Sequence, residues 1–392
     1  MFRILVSDPL SEYGLQKLLQ APDVEVVQKT GLSEEELIAI IPDFDALLVR
    51  SQTKVTAAVL EAGRKLKAVG RAGVGVDNID LDAATRYGIA VINAPDGNTI
   101  TTSEHTFAML MALARRIPQA YRSTIQGEWR RKDFVGVELR DKTLGIVGFG
   151  RIGSEVAKRA KAFQMRILAY DPFLTKERAD KMGITMATLD EIYQQADFIT
   201  VHTPLNKETR HLINREAFAK MKQGVRIINC ARGGIIDEKA LVEAIQSGKV
   251  AGAALDVFEE EPPAKDNPLF SLDQVIVTPH LGASTVEAQE NVALDVSEEI
   301  LHLLRGEPFK NAVNLPSIPA EIMEKIQPYF ELCEKLGLFV AQMAGSGIKD
   351  VIITYSGELR DVPTDPLTRY MLKGILSYYL TGEVNYVNAP HL

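Results

Sequence analysis

Lys142-Thr-Leu-Gly-Ile-Val-Gly-Phe-Gly-Arg-Ile-Gly153 decides how this 392-residue chain is read. The apolar run Leu144–Val147 leads straight into Gly148-x-Gly150-x-x-Gly153. A helical stretch, Ser154–Phe163, follows, and a second apolar run, Ile167–Tyr170, ends on Asp171. Strand, glycine turn, helix, strand and acid, in that order, predict a dinucleotide-binding unit. Gly148 permits the tight turn, Gly150 lets backbone approach a pyrophosphate, and Gly153 lets helix and strand pack closely. The helix N-terminus offers free N–H groups to phosphate. Asp171, about 20 residues on, is placed to accept hydrogen bonds from a ribose diol. Its charge would repel a 2′-phosphate, which favours NAD over NADP.

Outward from that unit the chain keeps the same grammar. Residues 1–94 alternate apolar runs (Ile4–Val6, Ala46–Val49, Leu66–Val69, Ile89–Ile92) with helical segments (Leu15–Leu19, Glu34–Ile40, Leu81–Tyr87). That pattern predicts a parallel α/β layer. Further strands are expected at Phe198–Val201, Val225–Asn229, Val250–Leu255 and Val275–Val277. Thr101-x-x-Glu104 and Ser284-x-x-Glu287 are spaced as capping boxes opening two long helices, and Asp237 as the N-cap of a third. After Pro316 and Pro319 the composition changes. There Glu321–Met343 and Leu367–Leu380 are predicted helices, and Asp350–Tyr355 a predicted strand.

The formal net charge of −8 argues against a general nucleic-acid or membrane-surface binder. The longest apolar helical stretch, Phe107–Ala114, is too short to cross a bilayer. The two cysteines, Cys230 and Cys333, offer neither a disulfide framework nor zinc spacing. No metal site is expected, and a reducing cytoplasm is the default setting.

A nicotinamide moves a hydride, so a partner must move a proton and a positive charge must face the oxygen. His280 follows the apolar run Val275–Val277 and precedes a helix start, which places it at the carboxyl edge of a strand, where ligands gather. Arg232 stands in Asn229-Cys-Ala-Arg-Gly-Gly234, also after a strand, and arginine suits bidentate carboxylate binding. The acids of Asp256-Val-Phe-Glu-Glu-Glu261 follow the next strand, and one of them could hold the histidine in a fixed tautomer. Arg50 and Arg71, after two strands of the first layer, fit either solvated loop charge or ligand contacts.

These stretches together resemble the D-isomer-specific 2-hydroxyacid dehydrogenase family. The matching segments are Gly148–Gly153, Val201-His-Thr-Pro204, Asn229–Gly234, Ala254–Phe258 with Glu261-Pro-Pro263, and Pro279-His-Leu-Gly-Ala-Ser284. Val49-Arg-Ser-x-Thr-Lys-Val55 and Gly70–Asn78 are similar to the members that act on phosphoglycerate. The resemblance implies an α/β fold with two doubly wound, Rossmann-like parallel sheets. It implies a discontinuous substrate domain (1–94 and 284–314), an NAD-binding domain (95–283) and a C-terminal α+β module (315–392). The module is similar to the start of the intervening domain of long family members and reads as cut short.

The resemblance also implies roles. Arg232 would hold the substrate carboxylate, His280 would be the acid–base residue, and Glu261 its partner. NAD would be held by the glycine turn with Arg151 and Ile152, by Asp171, and by Thr203, Cys230, Ala231, Asp256, Gly282 and Ala283. Arg50, Ser51, Arg71, Gly73 and Asn98 would hold a phosphorylated 2-hydroxy acid, with Arg131 reaching it from a partner subunit. The implied reaction is oxidation of D-3-phosphoglycerate to 3-phosphohydroxypyruvate, at the start of L-serine synthesis, by a homodimer or homotetramer. Two rivals stay open: reduction of an unphosphorylated substrate such as glyoxylate or hydroxypyruvate, and an NAD-sensing corepressor-like scaffold without turnover.

Overall fold

The computed structural model describes residues 1–316, 318–345 and 347–392. The chain forms two compact units, Met1–Gly97 with Val286–Leu392, and Asn98–Thr285. The boundaries fall a few residues beyond those read from the sequence. The C-terminal module belongs to the same unit as the first sheet.

That first sheet has the order β2-β1-β3-β4-β5, all parallel. Its strands are β1 (Phe2–Val6), β2 (Val24–Gln28), β3 (Ala46–Val49), β4 (Ala68–Arg71) and β5 (Ala90–Asn93). Alternation sorts the side chains onto two faces. Ile4, Val6, Ala46, Leu48 and Ala68 pack with Val292, Val296 and Ile300 of the helix Val286–Arg305. Leu5, Leu47, Val49, Val69 and Val91 pack on the other side with Leu37, Val59 and Ala83. Both faces are covered, as an all-parallel sheet requires. A Cβ on Gly70 would lie 2.5 Å from Val296 Cγ1, so glycine lets the long helix sit directly on β4.

The second unit carries a seven-stranded parallel sheet in the order β12-β11-β10-β9-β6-β7-β8. The strands are β6 (Thr143–Val147), β7 (Arg166–Tyr170), β8 (Thr185–Met186), β9 (Phe198–Val201), β10 (Val225–Asn229), β11 (Val250–Leu255) and β12 (Val275–Val277). The chain leaves β6 towards β7 and β8, then returns to its other side through β9. β6 therefore flanks the point where strand order reverses, the usual ligand crevice of such sheets.

Several sequence expectations are corrected. β2 and the helix Ala57–Ala62 were not foreseen. The helix expected to start at the Thr101–Glu104 box starts at Thr99, with Asn98 at its N-cap and no side-chain cap. Glu321–Met343 is not one helix. Pro328 supplies no N–H to the ladder, and the segment splits into Ala320–Ile326, a 3₁₀ turn Gln327–Tyr329, and Phe330–Ala344. Asp350–Tyr355 is irregular rather than a strand, with Ile352 91% exposed and the Tyr355 hydroxyl 2.9 Å from Thr368 Oγ1.

Within the module, Phe330–Ala344 packs on Asp365–Tyr379. Close approach requires Gly337 and Gly374, whose added Cβ atoms would lie 2.2 Å from Met371 O and 2.0 Å from Glu334 O. The segment after it docks on the first sheet's periphery: Asn385 Nδ2 donates to Gly88 O at 2.8 Å, and the buried Asn388 donates to Arg86 O at 3.4 Å. No described helix is long and apolar enough to cross a membrane.

Candidate active site

In the second unit, six strands deliver their expected ligands to one sheet edge. Gly148 follows β6, Asp171 follows β7, Thr203 follows β9, Cys230–Arg232 follow β10, Asp256 follows β11 and His280 follows β12. Parallel pairing alone puts these carboxyl ends side by side.

The glycine turn is shaped for a phosphate. Gly148 has φ +92°, and a Cβ there would lie 2.6 Å from His202 O. A Cβ on Gly153 would strike Gly148 O at 2.2 Å, whereas one on Gly150 would meet nothing within 4 Å. Gly148 and Gly153 are thus required by packing, and Gly150 leaves open space in front of the helix Arg151–Ala162. Asp171 is held by two backbone donors, Phe149 N–H to Oδ2 at 2.7 Å and Phe173 N–H to Oδ1 at 2.8 Å. Each oxygen keeps a lone pair for a diol. Thr203 Oγ1 is buried with no protein partner, a polar atom that a bound nucleotide would satisfy. These residues fit NAD. We expect Asp171→Ala to raise the KM for NAD roughly 10-fold or more, the worth of a charged hydrogen bond, and to narrow the preference over NADP. Initial rates with both nucleotides check this, and an unchanged ratio would count against Asp171 as the ribose acceptor.

The His280–Glu261 pair is assembled across 19 residues of sequence. His280 Nδ1 lies 2.7 Å from Glu261 Oε2, and Glu261 Oε1 accepts from Phe258 N–H at 3.1 Å. An ionised carboxylate only accepts, so Nδ1 carries the hydrogen and Nε2 of the neutral ring is free to take one. The Glu261 hydrogen bond raises the His280 pKa above its ordinary value, against the effect of burial and of the nearby Arg232 charge. Burial pushes Glu261 up, but its hydrogen bonds and the His280 charge hold it below the usual carboxylate value. Both side chains remain partly exposed, so they can meet a substrate.

Arg232 is set by the turn it sits on. Asn229, buried at the end of β10, donates through Nδ2 to Arg232 O at 2.9 Å and accepts from Ala231 N–H at 3.0 Å. Gly233 lets this turn pass against Phe258, since a Cβ would lie 1.6 Å from Phe258 O. Cys230 is buried, and burial pushes its thiol up, away from thiolate chemistry.

Asp256 is fully buried. Its Oδ1 accepts from Thr278 Oγ1 at 2.6 Å and Leu281 N–H at 2.7 Å, and its Oδ2 from Gly282 N–H at 2.8 Å. This carboxylate shapes the turn that carries His280, whose backbone is left-handed at φ +55°. Burial alone would raise its pKa; the hydrogen bonds from His105, Thr278 and Leu281 hold it below the ordinary value.

In the first unit, Arg50 and Ser51 follow β3, and Arg71 ends β4, at neighbouring carboxyl ends. Sequence reasoning missed what holds them. Asp8, buried just past β1, accepts from Arg50 N–H at 2.6 Å, Thr53 N–H at 3.1 Å and Thr53 Oγ1 at 2.6 Å. Asn78 Nδ2 donates to Arg50 O at 2.8 Å and Thr53 O at 2.7 Å. The only available signal was an acid two residues after an apolar run. Gly73 makes room for the Arg71 guanidinium: at φ +152°, its Cβ would lie 1.6 Å from Arg71 Nη1. Asn98 caps the helix Thr99–Arg115 in the second unit, with Oδ1 buried and without a partner. Arg131 lies on the exposed 3₁₀ turn Arg131–Phe134 beside Trp129, which is 80% exposed. Among the described residues no cluster suits a metal ion.

The chain is similar to known proteins over nearly its whole length. Residues 107–282 match the family described as D-isomer specific 2-hydroxyacid dehydrogenase, NAD binding domain, and residues 325–392 match the D-3-phosphoglycerate dehydrogenase intervening domain. The D-3-phosphoglycerate dehydrogenase of Bacillus subtilis is 54% identical over 389 residues, covering 99% of this chain and 73% of its own length. The enzyme of the same name from Methanocaldococcus jannaschii is 54% identical over 391 residues, covering 100% of this chain and 74% of its own. Among solved structures, the TT0316 protein from Thermus thermophilus superposes with a TM-score of 0.72 at 35% identity, covering 79% of this chain and 99% of that one. The chain belongs to the NAD-dependent D-isomer-specific 2-hydroxyacid dehydrogenases, in their D-3-phosphoglycerate dehydrogenase branch.

Proposed function

We propose that this chain oxidises D-3-phosphoglycerate at C2 to 3-phosphohydroxypyruvate, the first step of L-serine biosynthesis. The observation that carries the reading is the His280–Glu261 pair, set on the same sheet edge as Arg232 and the glycine turn. Gly148, Gly150, Arg151, Ile152, Gly153, Asp171, Thr203, Cys230, Ala231, Asp256, Gly282 and Ala283 would hold the cofactor. When bound, NAD supplies the hydride acceptor.

The chain's own residues do the rest. Neutral His280 accepts the C2 hydroxyl proton at Nε2, and Glu261 stabilises the imidazolium that results. In the reverse direction His280 returns that proton to the carbonyl oxygen. The Arg232 guanidinium pairs with the carboxylate, fixing which face of C2 is presented. Arg50 and Arg71 supply cationic charge for the phosphate, with Ser51, Gly73 and Asn98 contributing donors or space. Two buried free cysteines accord with a reducing cytoplasm. The same reading carries a homodimer or homotetramer, to which Arg131 contributes at the partner's substrate phosphate.

The decisive experiment measures NADH formation with D-3-phosphoglycerate against D-glycerate and D-lactate. We expect the phosphorylated acid to be preferred in kcat/KM. Arg50→Gln and Arg71→Gln should each cost about 10-fold or more with that substrate and leave the unphosphorylated acids little changed. Equal losses on all three acids would place these arginines elsewhere, and a preference for glycerate or lactate would move the chain to another substrate in the family.

A further inference from the structure

We infer that His105 is a positioning residue for the oxidation proposed above: it holds Asp256, and through Asp256 the turn that carries His280. The inference rests on that reading for its chemistry and on geometry for its contacts.

His105 lies on the helix Thr99–Arg115, about 150 or more residues before its partners in the chain. Its Nε2 is 3.2 Å from Asp256 Oδ1 and 3.3 Å from Thr278 Oγ1. The Thr278 hydroxyl has one hydrogen and gives it to Asp256 Oδ1 at 2.6 Å. Towards His105, Thr278 can therefore only accept, and a carboxylate always accepts. Nε2 must carry a hydrogen shared between the two.

His105 does not act alone on its helix face. Three residues earlier, Thr102 Oγ1 donates to Gly282 O at 2.9 Å. One residue later, Thr106 Oγ1 donates back to Thr102 O at 2.8 Å. Positions 102, 105 and 106 share one side of a helix. That side grips the loops after β11 and β12 at once. Asp256 then passes the constraint on: Leu281 N–H and Gly282 N–H bind its two oxygens, and His280 N–H donates to Asp256 O at 2.9 Å. His280 is held in a left-handed conformation between these anchors. A left-handed histidine needs such over-determination to stay in place.

Removing the imidazole frees Asp256 to rotate and lets the His280 ring drift from its working position. A displacement of about 1 Å at a reacting group can cost about 10²-fold. His105→Leu should therefore lower kcat for D-3-phosphoglycerate by roughly 10- to 100-fold, with KM for that acid nearly unchanged, because His105 touches no substrate. His105→Gln keeps an N–H within reach of Asp256 and should recover most of the loss. Hydrogen exchange at the Leu281 and Gly282 amides, measured without substrate, should quicken in His105→Leu and not in His105→Gln.

An unaltered kcat in His105→Leu would overturn the inference. So would a His105→Gln enzyme as slow as His105→Leu, or unchanged exchange at both amides. If wild-type protein oxidises no 2-hydroxy acid, the reading of function fails, while the exchange result still decides whether His105 holds the turn.

Discussion

His280→Ala lowers kcat for oxidation of D-3-phosphoglycerate by about 10²- to 10⁴-fold, the usual contribution of a positioned acid–base group, while NADH still binds. The retained binding follows from separation of tasks. The glycine turn after β6 and Asp171 after β7 hold the nucleotide by contacts that do not include the imidazole. Because His280 sits at φ +55°, alanine carries a backbone penalty as well as the lost ring. His280→Asn is the better control, since asparagine adopts this conformation readily and cannot take up a proton at neutral pH. An Asn variant as fast as wild type would remove His280 from proton transfer, whatever the alanine variant does.

Glu261→Gln tests the same pair from its other side. The hydrogen bond that His280 donates to Glu261 is the largest influence raising the His280 pKa. Without the negative charge, the imidazolium is less favoured and the His280 pKa falls. Oxidation needs neutral His280, so its acid-side limb in kcat/KM should move to lower pH. Reduction needs the protonated ring, so its alkaline fall-off should also begin at lower pH. The plateau should drop too, because the amide stabilises the imidazolium less. A profile that loses height but does not move would mean that Glu261 orients the ring without tuning it.

What the sequence disclosed followed from how local each signal was. The glycine turn and Asp171 are a short-range pattern, with apolar runs on both sides to fix their register. The strands Phe198–Val201, Val225–Asn229, Val250–Leu255 and Val275–Val277 were legible as short apolar runs bounded by turns, the mark of strands buried on both faces. Arg232 and His280 could be read because each stands just past such a run. β2 escaped because it pairs only with β1 at the edge of its sheet, and Glu25 interrupts its apolar pattern. Asp8 and His105 escaped for a different reason. Their roles lie in contacts 42 or more residues away in sequence, with Arg50 and with Asp256. In a single sequence such an acid reads as a loop residue, and such a histidine as one polar position on a mostly apolar helix. The Thr101–Glu104 pattern shows the converse. It has capping spacing, yet Thr101 lies inside a helix that starts at Thr99, where its hydroxyl meets Thr285 Oγ1 at 3.1 Å instead. Local spacing proposes a cap, and tertiary packing decides where the helix begins.

Asp256→Ala should be the most destabilising single change at this site, by about 3–5 kcal/mol, the range for breaking a buried charged network by removing one partner. The carboxylate is fully buried and receives Thr278, Leu281, Gly282 and His105. Alanine leaves two backbone N–H groups and a hydroxyl without acceptors in a space that water does not readily fill. Asp256→Asn should also lose stability, but less. An amide nitrogen replaces one accepting oxygen and confronts a donor, while the remaining oxygen keeps the rest. The pH dependence has a defined sign. The folded protein holds this carboxyl below its ordinary value, so its contribution is fully present above about pH 4, the unfolded value. It is lost as pH falls through the lower, folded value. The gap between wild type and Asp256→Ala should thus be constant through neutral pH and narrow only in acid. Calorimetric midpoints at a series of pH values measure it. A gap that stays open below the folded pKa would show that the buried shape of Asp256, rather than its charge, holds the turn; no gap at neutral pH would mean that His280 is positioned by other means.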